Sequence, residues 1–338
     1  MSAVFPDRPE AEIVTDEWRA IAALDHLKIR AHLLKDIRAF FEVRGVFEVE
    51  TPLLSQTTTS DPNIHSMTTC YAGPGFPHGK KFYLQTSPEF AMKRLLACGS
   101  GSIYQICKAF RDGEAGKLHN PEFTLLEWYR TGYDYGMLMD EVEELAAEIL
   151  HIKSPFQRLT YQQAFEQYAG INPHLASVEE MRSHVARFSD MPINGLTNDD
   201  RDGWLDLIMS HMIEPRLGTG QATFIYDYPA SKAALARVRD DVPAVAERFE
   251  LYIEGIELAN GFTELSNPQE QRVRFERDLE KRRLGKLVAI ASDRRLLAAL
   301  DHGLPPCAGV ALGLDRLLMI KLGASSIRDI LAFPVDLA

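Results

Sequence analysis

The sequence predicts an α+β fold in which a mainly antiparallel sheet is flanked by helices. Two strand pairs and a set of amphipathic helices carry that expectation. Ile103–Arg111 and Thr124–Arg130 read as strands around a polar, glycine-bearing loop, which is the grammar of a hairpin. Glu250–Asn260 reads as a second hairpin, turning at Glu254-Gly255. Around these pairs, apolar residues recur at three- and four-residue steps, as in Leu24, Leu27, Ala31, Leu34, Ile37 and Phe41.

Composition narrows the function classes. The chain has 338 residues and a formal charge of −11, which argues against a broad basic face for nucleic acid. No basic leader precedes an apolar run, so no signal peptide is expected. No apolar run reaches the roughly 18 residues that a membrane helix needs. The four cysteines, Cys70, Cys98, Cys107 and Cys307, match no zinc spacing. They read as reduced and mostly buried, in a cytosolic protein.

In chain order, residues 1–20 read as an irregular leader and 21–338 as one catalytic domain. A helix over Ile21–Arg44 stops at Gly45, and Val46–Glu50 alternates like a strand before Thr51-Pro52. Met67–Tyr71 and Phe82–Gln85 read as further strands. Ser87-Pro-Glu opens a helix, with Ser87 suited to the cap, Pro88 to the first turn and Glu89 to the electropositive start. That placement explains Glu89 without any ligand. An acidic helix follows over 134–150, and Thr160-x-x-Gln163 and Ser177-x-x-Glu180 look like capping boxes. The segment of about 134–220 is expected to be a helical insertion. Thr223–Tyr228 reads as a strand, Asn267-Pro-Gln-Glu270 as a capped helix start, and Ser292 as the cap of a later helix ending near Gly303. The charges of the helix over 267–283 mostly suit a solvated face.

Three stretches hold more polar chemistry than their elements need. Arg111, His119, Asn120, Glu122, Glu127 and Tyr129 crowd the first hairpin. A salt-bridged surface hairpin and a functional site both fit, because buried polar groups are costly unless paired or used. On the second hairpin, alternation puts Glu250 and Glu257 diagonally on one face. Either they face solvent separately, or a cation such as Mg²⁺ lies between them. The third stretch, Cys307–Ile320, runs a glycine-bearing strand into a helix. Glycine allows a ring or phosphate to approach the backbone, and the helix start favours anions.

The first and third of these stretches resemble motifs 2 and 3 of class II aminoacyl-tRNA synthetases. Phe110-Arg111 followed by His119-Asn-Pro-Glu-Phe-Thr-x-x-Glu127 resembles the lysyl form of motif 2. With Leu-Leu-Glu-Trp-Tyr-Arg130 it is similar more narrowly to the elongation factor P–(R)-beta-lysine ligases, short paralogues of lysyl-tRNA synthetase. Gly309-x-x-x-Gly313-x-Asp315-Arg316 resembles motif 3, and the helix–Gly45–strand–Pro52 unit resembles motif 1, which builds a homodimer interface in that family. The resemblance covers roughly 21–336. Motif 1 begins near residue 26, which leaves no room for an anticodon-reading barrel, so tRNA is not the expected acceptor.

The resemblance implies the catalytic domain of a class II synthetase. It implies activation of (R)-beta-lysine, or lysine, as its adenylate with ATP, then transfer to a lysine ε-amine of elongation factor P. Arg111 and Arg316 are implied as the catalytic arginines, on the α- and γ-phosphates. Ser87, Pro88, Glu89, Tyr129, Asn260, Glu264 and Ala311 are implied as substrate-binding, with Glu264 and Tyr129 at the distal amine. Arg111, Asp112, Gly113, Glu114, His119, Asn120, Phe123, Glu257, Leu258, Gly313 and Arg316 are implied at ATP, and Glu250 and Glu257 at Mg²⁺. Two departures stand out. The family's usual Asn-Glu or Asp-Glu after the motif 2 arginine is Asp112-Gly113 here, so either Glu114 or a backbone carbonyl reads the adenine amine. Ala311 stands where lysyl-tRNA synthetases usually have glycine, a discriminator between α-lysine and (R)-beta-lysine. Two other activities stay open at this stage: release of free lysyl-adenylate or charging of a tRNA, and a non-catalytic paralogue that binds or regulates.

Overall fold

The computed structural model describes residues 18–186 and 200–338, so nearly all of the expected leader lies outside the described residues. The first helix, α1 (Leu24–Glu42), buries Leu33, Ile37, Phe40 and Phe41 along one face and ends before Gly45, whose φ is 66°. The strand expected after it shortens to β1 (Phe47–Glu48), which pairs in parallel with the later strand Ile103–Phe110. A small sheet follows from β2 (Leu54–Ser55), β3 (Thr68–Gly73) and β4 (Phe76–Leu84), in the order β2-β4-β3. The chain continues through α2 (Glu89–Ala97), β5 (Ile103–Phe110), β6 (Glu122–Thr131) and α3 (Tyr135–Leu150). Next come β7 (Gln157–Thr160), α4 (Tyr161–Tyr168), α5 (Val178–Ala186), α6 (Arg201–Ile208) and β8 (Thr223–Pro229). The last third holds β9 (Val238–Arg239), β10 (Val245–Ile253), β11 (Ile256–Thr263), α7 (Pro268–Leu284), α8 (Arg294–His302), β12 (Cys307–Gly313) and α9 (Leu314–Leu322).

The large sheet has the order β1-β5-β6-β12-β11-β10-β8-β7, with β9 attached to β10. Its described pairs are antiparallel except β1 with β5 and β7 with β8. Both expected hairpins are present, as β5–β6 and β10–β11. The second turns at Glu254 and Gly255 with φ of 51° and 73°, and Ile253 faces Ile256. Positive φ at both turn residues matches the twist of the flanking strands.

The last strand of the chain, β12, sits in the middle of the sheet. Its residues Ala308, Val310 and Leu312 point into the main core with α1, α3 and α9. Trp128 of β6 is buried there too, and its indole N–H donates to Glu141 at 3.0 Å, so the apolar layer leaves that group paired. A second core gathers α4, α5 and α6 against Ile225, Tyr228, Ala246 and Tyr252. A third joins α2, α7 and α8 around Met92, Leu96, Phe275, Leu296 and Leu300.

Several local expectations shift. The helical layer does not begin at 134: α3 packs Leu138, Val142, Leu145 and Ile149 into the main core, and the helices of the second core start at Tyr161. Asp293, not Ser292, caps α8, accepting from the Arg295 and Leu296 amides. A carboxylate competes well for those orphan donors. Helix α2 starts one residue late, at Glu89, and the Ser87 hydroxyl accepts from the Glu89 amide. Of the cysteines only Cys307 is buried; Cys70 and Cys98 are exposed, on the small sheet and at the end of α2, so "mostly buried" does not hold. On α7, Arg274 and Asp278 depart from the solvated face and line the cleft.

Candidate active site

The cleft face of the large sheet can be read from register, because alternate residues of a strand share a face. One row runs Glu250, Asn260, Ala311, Glu127 and Gln105 across β10, β11, β12, β6 and β5. The next runs Arg248, Phe262, Gly309, Tyr129 and Ile103. On this face β12 presents Cys307, which is buried in the third core, and then Gly309, Ala311 and Gly313, so the middle of the sheet forms a low floor. Above it opens a cleft of about 700 Å³, walled by loop residues 55–61, α2, the β5–β6 loop and α7. Gly309 is required by contact: a Cβ there would lie 2.3 Å from the Tyr129 ring and 2.5 Å from a Glu264 oxygen.

One end of the cleft is acidic. Glu89, Glu127 and Glu264 converge on it from α2, β6 and the end of β11. The Lys93 ammonium lies 2.6 Å from Glu89 and 2.5 Å from Glu264. Glu127 accepts from Ser87 and Tyr129, each at 2.8 Å. Burial, with Glu89 nearby, pushes the Glu127 carboxyl up to about 7. Burial also pushes Glu264 up to about 8; Lys93 pulls it down and Glu89 pushes it further up. Burial alone would lower the Lys93 ammonium, yet Glu264 and Glu89 outweigh it and hold it charged. Apart from that ion pair, both Glu264 oxygens lack a hydrogen-bond partner among the described residues. With every group ionised, this end carries two surplus negative charges. Tyr129, Glu264 and Glu89 thus converge at one end of the cleft. Pro88 only turns the chain into α2, immediately before Glu89.

The opposite end holds two arginines, Arg111 and Arg316, each with an acid 3.7 Å away. Arg111 leaves the end of β5, lies over the Phe123 ring at 5.1 Å and stands 3.7 Å from Glu114. Its Nε is buried without a hydrogen-bond partner among the described residues. Arg316, in the first turn of α9, donates to the Glu257 carbonyl and to His119 Nε2, both at 2.7 Å. His119 therefore accepts with a neutral ring, and burial together with Arg316 lowers its basicity. Asn120 lines the cleft, but its amide is committed to the Glu122 carbonyl and the Val335 amide. Glu114 lies on the wall, whereas Asp112 and Gly113 are exposed and outside it. Gly113 has φ of 80°, a conformation a glutamate would resist, which accounts for the displaced acid. Leu258 is the extra residue of a bulge in β11 and lines the cleft, as does Gly313 at the foot of α9.

The two candidate metal acids differ. Glu257 lies on the cleft wall, half-buried, and burial and Glu250 raise its carboxyl. Glu250 is buried behind the wall. One of its oxygens takes Arg248 and Asn260, and the other takes Tyr228 and Tyr252. Glu250 thus does not face solvent, and the bulge places Glu257 opposite Tyr252 instead of on a simple diagonal.

Sequence reasoning assigned no role to Lys93 or Arg248, and none to Glu127 beyond its place in motif 2. It grouped Gly309 with Gly313 as glycines that let a ring approach, whereas Gly309 packs against Tyr129 and Glu264. Lys93 had a signal in its spacing, four residues after Glu89 on one helix face. Arg248 had one too, two residues before Glu250 on the same strand face. The partners of both lie on other elements, which no local spacing reveals.

The fold and this cleft define a class II synthetase-type catalytic domain. A family model described as tRNA synthetases class II (D, K and N) matches residues 14–337, and the chain belongs to that family. Its curated relatives are narrower. The chain is 49% identical over 322 residues to the elongation factor P–(R)-beta-lysine ligase of Vibrio vulnificus, covering 95% of this chain and 99% of the relative. It is 50% identical to the protein of that name from Pseudoalteromonas translucida and 47% identical to that from Salmonella gallinarum. Those matches cover 95% and 96% of this chain, and 98% and 99% of the relatives. Among the described residues, no helix is long and apolar enough to cross a membrane.

Proposed function

We propose that this protein joins (R)-beta-lysine to a lysine side chain of elongation factor P, using ATP to activate the amino acid. The observation that carries the reading is the polarity of the cleft. Two surplus negative charges at one end suit the two ammonium groups of a diamino acid, and Arg111 and Arg316 at the other suit a polyphosphate. In the first step a carboxylate oxygen attacks the α-phosphorus and pyrophosphate leaves. In the second the acceptor ε-amine attacks the acyl carbon, an amide forms, AMP leaves and the amine loses a proton.

In this reading the residues divide the work. Glu264 and Tyr129 hold the distal ammonium, and Glu89 holds the one nearer the carboxylate. Asn260 and Ala311 border the carbon skeleton. Arg111 faces the α-phosphate and Arg316 the γ-phosphate, while Phe123 stacks on adenine. Phosphoryl transfer needs positioning and charge neutralisation more than covalent help. Glu257 and Glu250 have the hard oxygen donors that suit Mg²⁺, and Glu257, held up by its acidic neighbour, would gain from a cation. When bound, the ion would offset phosphate charge. Glu250 would first have to release one of its four donors.

We assign the working form as a two-fold homodimer through residues 26–52, where Val43 and Phe47 remain 79% and 52% exposed. A monomer mass by light scattering with substrates present would refute it. The four free thiols fit a reducing cytosol. The activity test is pyrophosphate exchange that depends on (R)-beta-lysine, then the gain of one β-lysyl mass on elongation factor P but not on tRNA. No exchange with either (R)-beta-lysine or α-lysine sinks the proposal.

A further inference from the structure

Lys93 has no part in the chemistry above, yet it is 2% exposed and sits between two acids of the amine pocket. A buried ammonium survives only with close anions, and here both anions are cleft residues. Glu89 is one turn before it on α2, while Glu264 lies just past the end of β11, a separate element. The Phe262 ring covers its remaining side, with the ring centroid 5.4 Å from Nζ. The ammonium is fully engaged, so it has no proton directed at a reacting atom.

Resting on the reading of Glu89 and Glu264 as amine holders, we propose that Lys93 is a positioning residue that sets the spacing between the two ammonium sites. Two neighbouring carboxylates repel and splay unless a cation lies between them. Lys93 supplies that cation permanently and ties α2 to β11. It also sets the charge of the pocket: three carboxylates and one internal ammonium leave room for two substrate ammonium groups. Without it the pocket would hold a third surplus charge, and an acid would take up a proton or a stray cation. Lys93 thereby makes the pocket selective for diamino acids of one length.

The test uses the full chain in amino-acid-dependent pyrophosphate exchange. Lys93→Met keeps the stem and removes the charge; Lys93→Arg keeps the charge but alters its reach. Lys93→Met is expected to raise KM for the diamino acid by about ten- to a hundredfold while KM for ATP stays within about twofold. Both variants should also lower the preference for the lysine-length substrate over its homologue one methylene shorter, by about tenfold. Lys93→Arg supplies the answer if Lys93→Met fails to fold. An unchanged length preference in Lys93→Arg, with unchanged KM values, overturns the inference and leaves Lys93 a structural ion pair. Glu264→Gln separates the two layers. If it raises KM for the diamino acid while the Lys93 variants do not, only this inference falls. If it leaves KM unchanged, the amine pocket itself is misread.

Discussion

The two ends of the cleft are built on different principles. At the amine end, Glu89, Glu127 and Glu264 are held by neighbours at 2.5–2.8 Å, and two of them by a buried internal cation. At the arginine end, among the described residues, Arg111 has an acid partner only at 3.7 Å and a buried Nε with none. The acidic end is organised before any ligand arrives, as specificity for a small dication requires, because looseness there would admit the wrong amine spacing. At the arginine end Arg111 is loosely committed, as suits a group that must tighten on charge developing during phosphoryl transfer. Arg316 is held by the Glu257 carbonyl and His119 at 2.7 Å. Substitutions at the two ends should therefore fail differently.

The largest effect is expected at the loose end. Arg111→Ala should lower the rate of pyrophosphate exchange by about a thousandfold or more, with a much smaller change in KM for the amino acid. A loss confined to KM would place Arg111 with substrate binding and collapse the contrast. Next in size is Glu257→Gln. It is expected to raise the Mg²⁺ concentration for half-maximal exchange by about ten- to a hundredfold. An unaltered Mg²⁺ requirement would take the ion away from this carboxylate.

The acidic end should respond to pH. Glu264 and Glu127 sit at about 8 and 7, raised by burial and by Glu89, with Lys93 opposing and Tyr129 and Cys307 alongside. A dication binds the ionised acids, so binding releases protons below those values. Affinity for the diamino acid should then rise between pH 6 and 8, by up to about tenfold per pH unit for each proton released. In the ligand-free protein the same raised carboxyls make folded stability fall as pH climbs from the ordinary carboxylate range through about 8. Isothermal titration in buffers of different ionisation heat counts the protons directly. A count of zero at pH 7 would mean both acids are already ionised.

The smallest expected effect lies between the ends. Ala311 sits in the row between Asn260 and Glu127, so its methyl lies on the floor near the carbon skeleton. Ala311→Gly should shift the ratio of kcat/KM for (R)-beta-lysine over α-lysine toward α-lysine by about tenfold, as a single methyl contact does. An unmoved ratio would transfer the selectivity to Glu89 and the loop before it.

The short-range features were legible in the chain alone. Both hairpins, the Glu254-Gly255 turn, the Asn267 cap, the Thr160 capping box and the strand-to-helix passage at Gly313 depend on neighbours within a few residues. Alternation, capping and φ preference act over that range; the resemblance to class II synthetases, not these local rules, singled out Arg111 and Arg316. What the tertiary structure alone decided is long-range register. The placement of β12 between β6 and β11 lines up Asn260, Ala311 and Glu127 from three distant strands. The placement of α2 near the end of β11 turns Lys93 into the link between Glu89 and Glu264. Glu250 read as an acid that faces either solvent or a metal ion, but Tyr228, Tyr252, Arg248 and Asn260 engage both its oxygens. A buried charge is defined by whatever closes around it, and those partners are chosen by the packing of elements far apart in sequence.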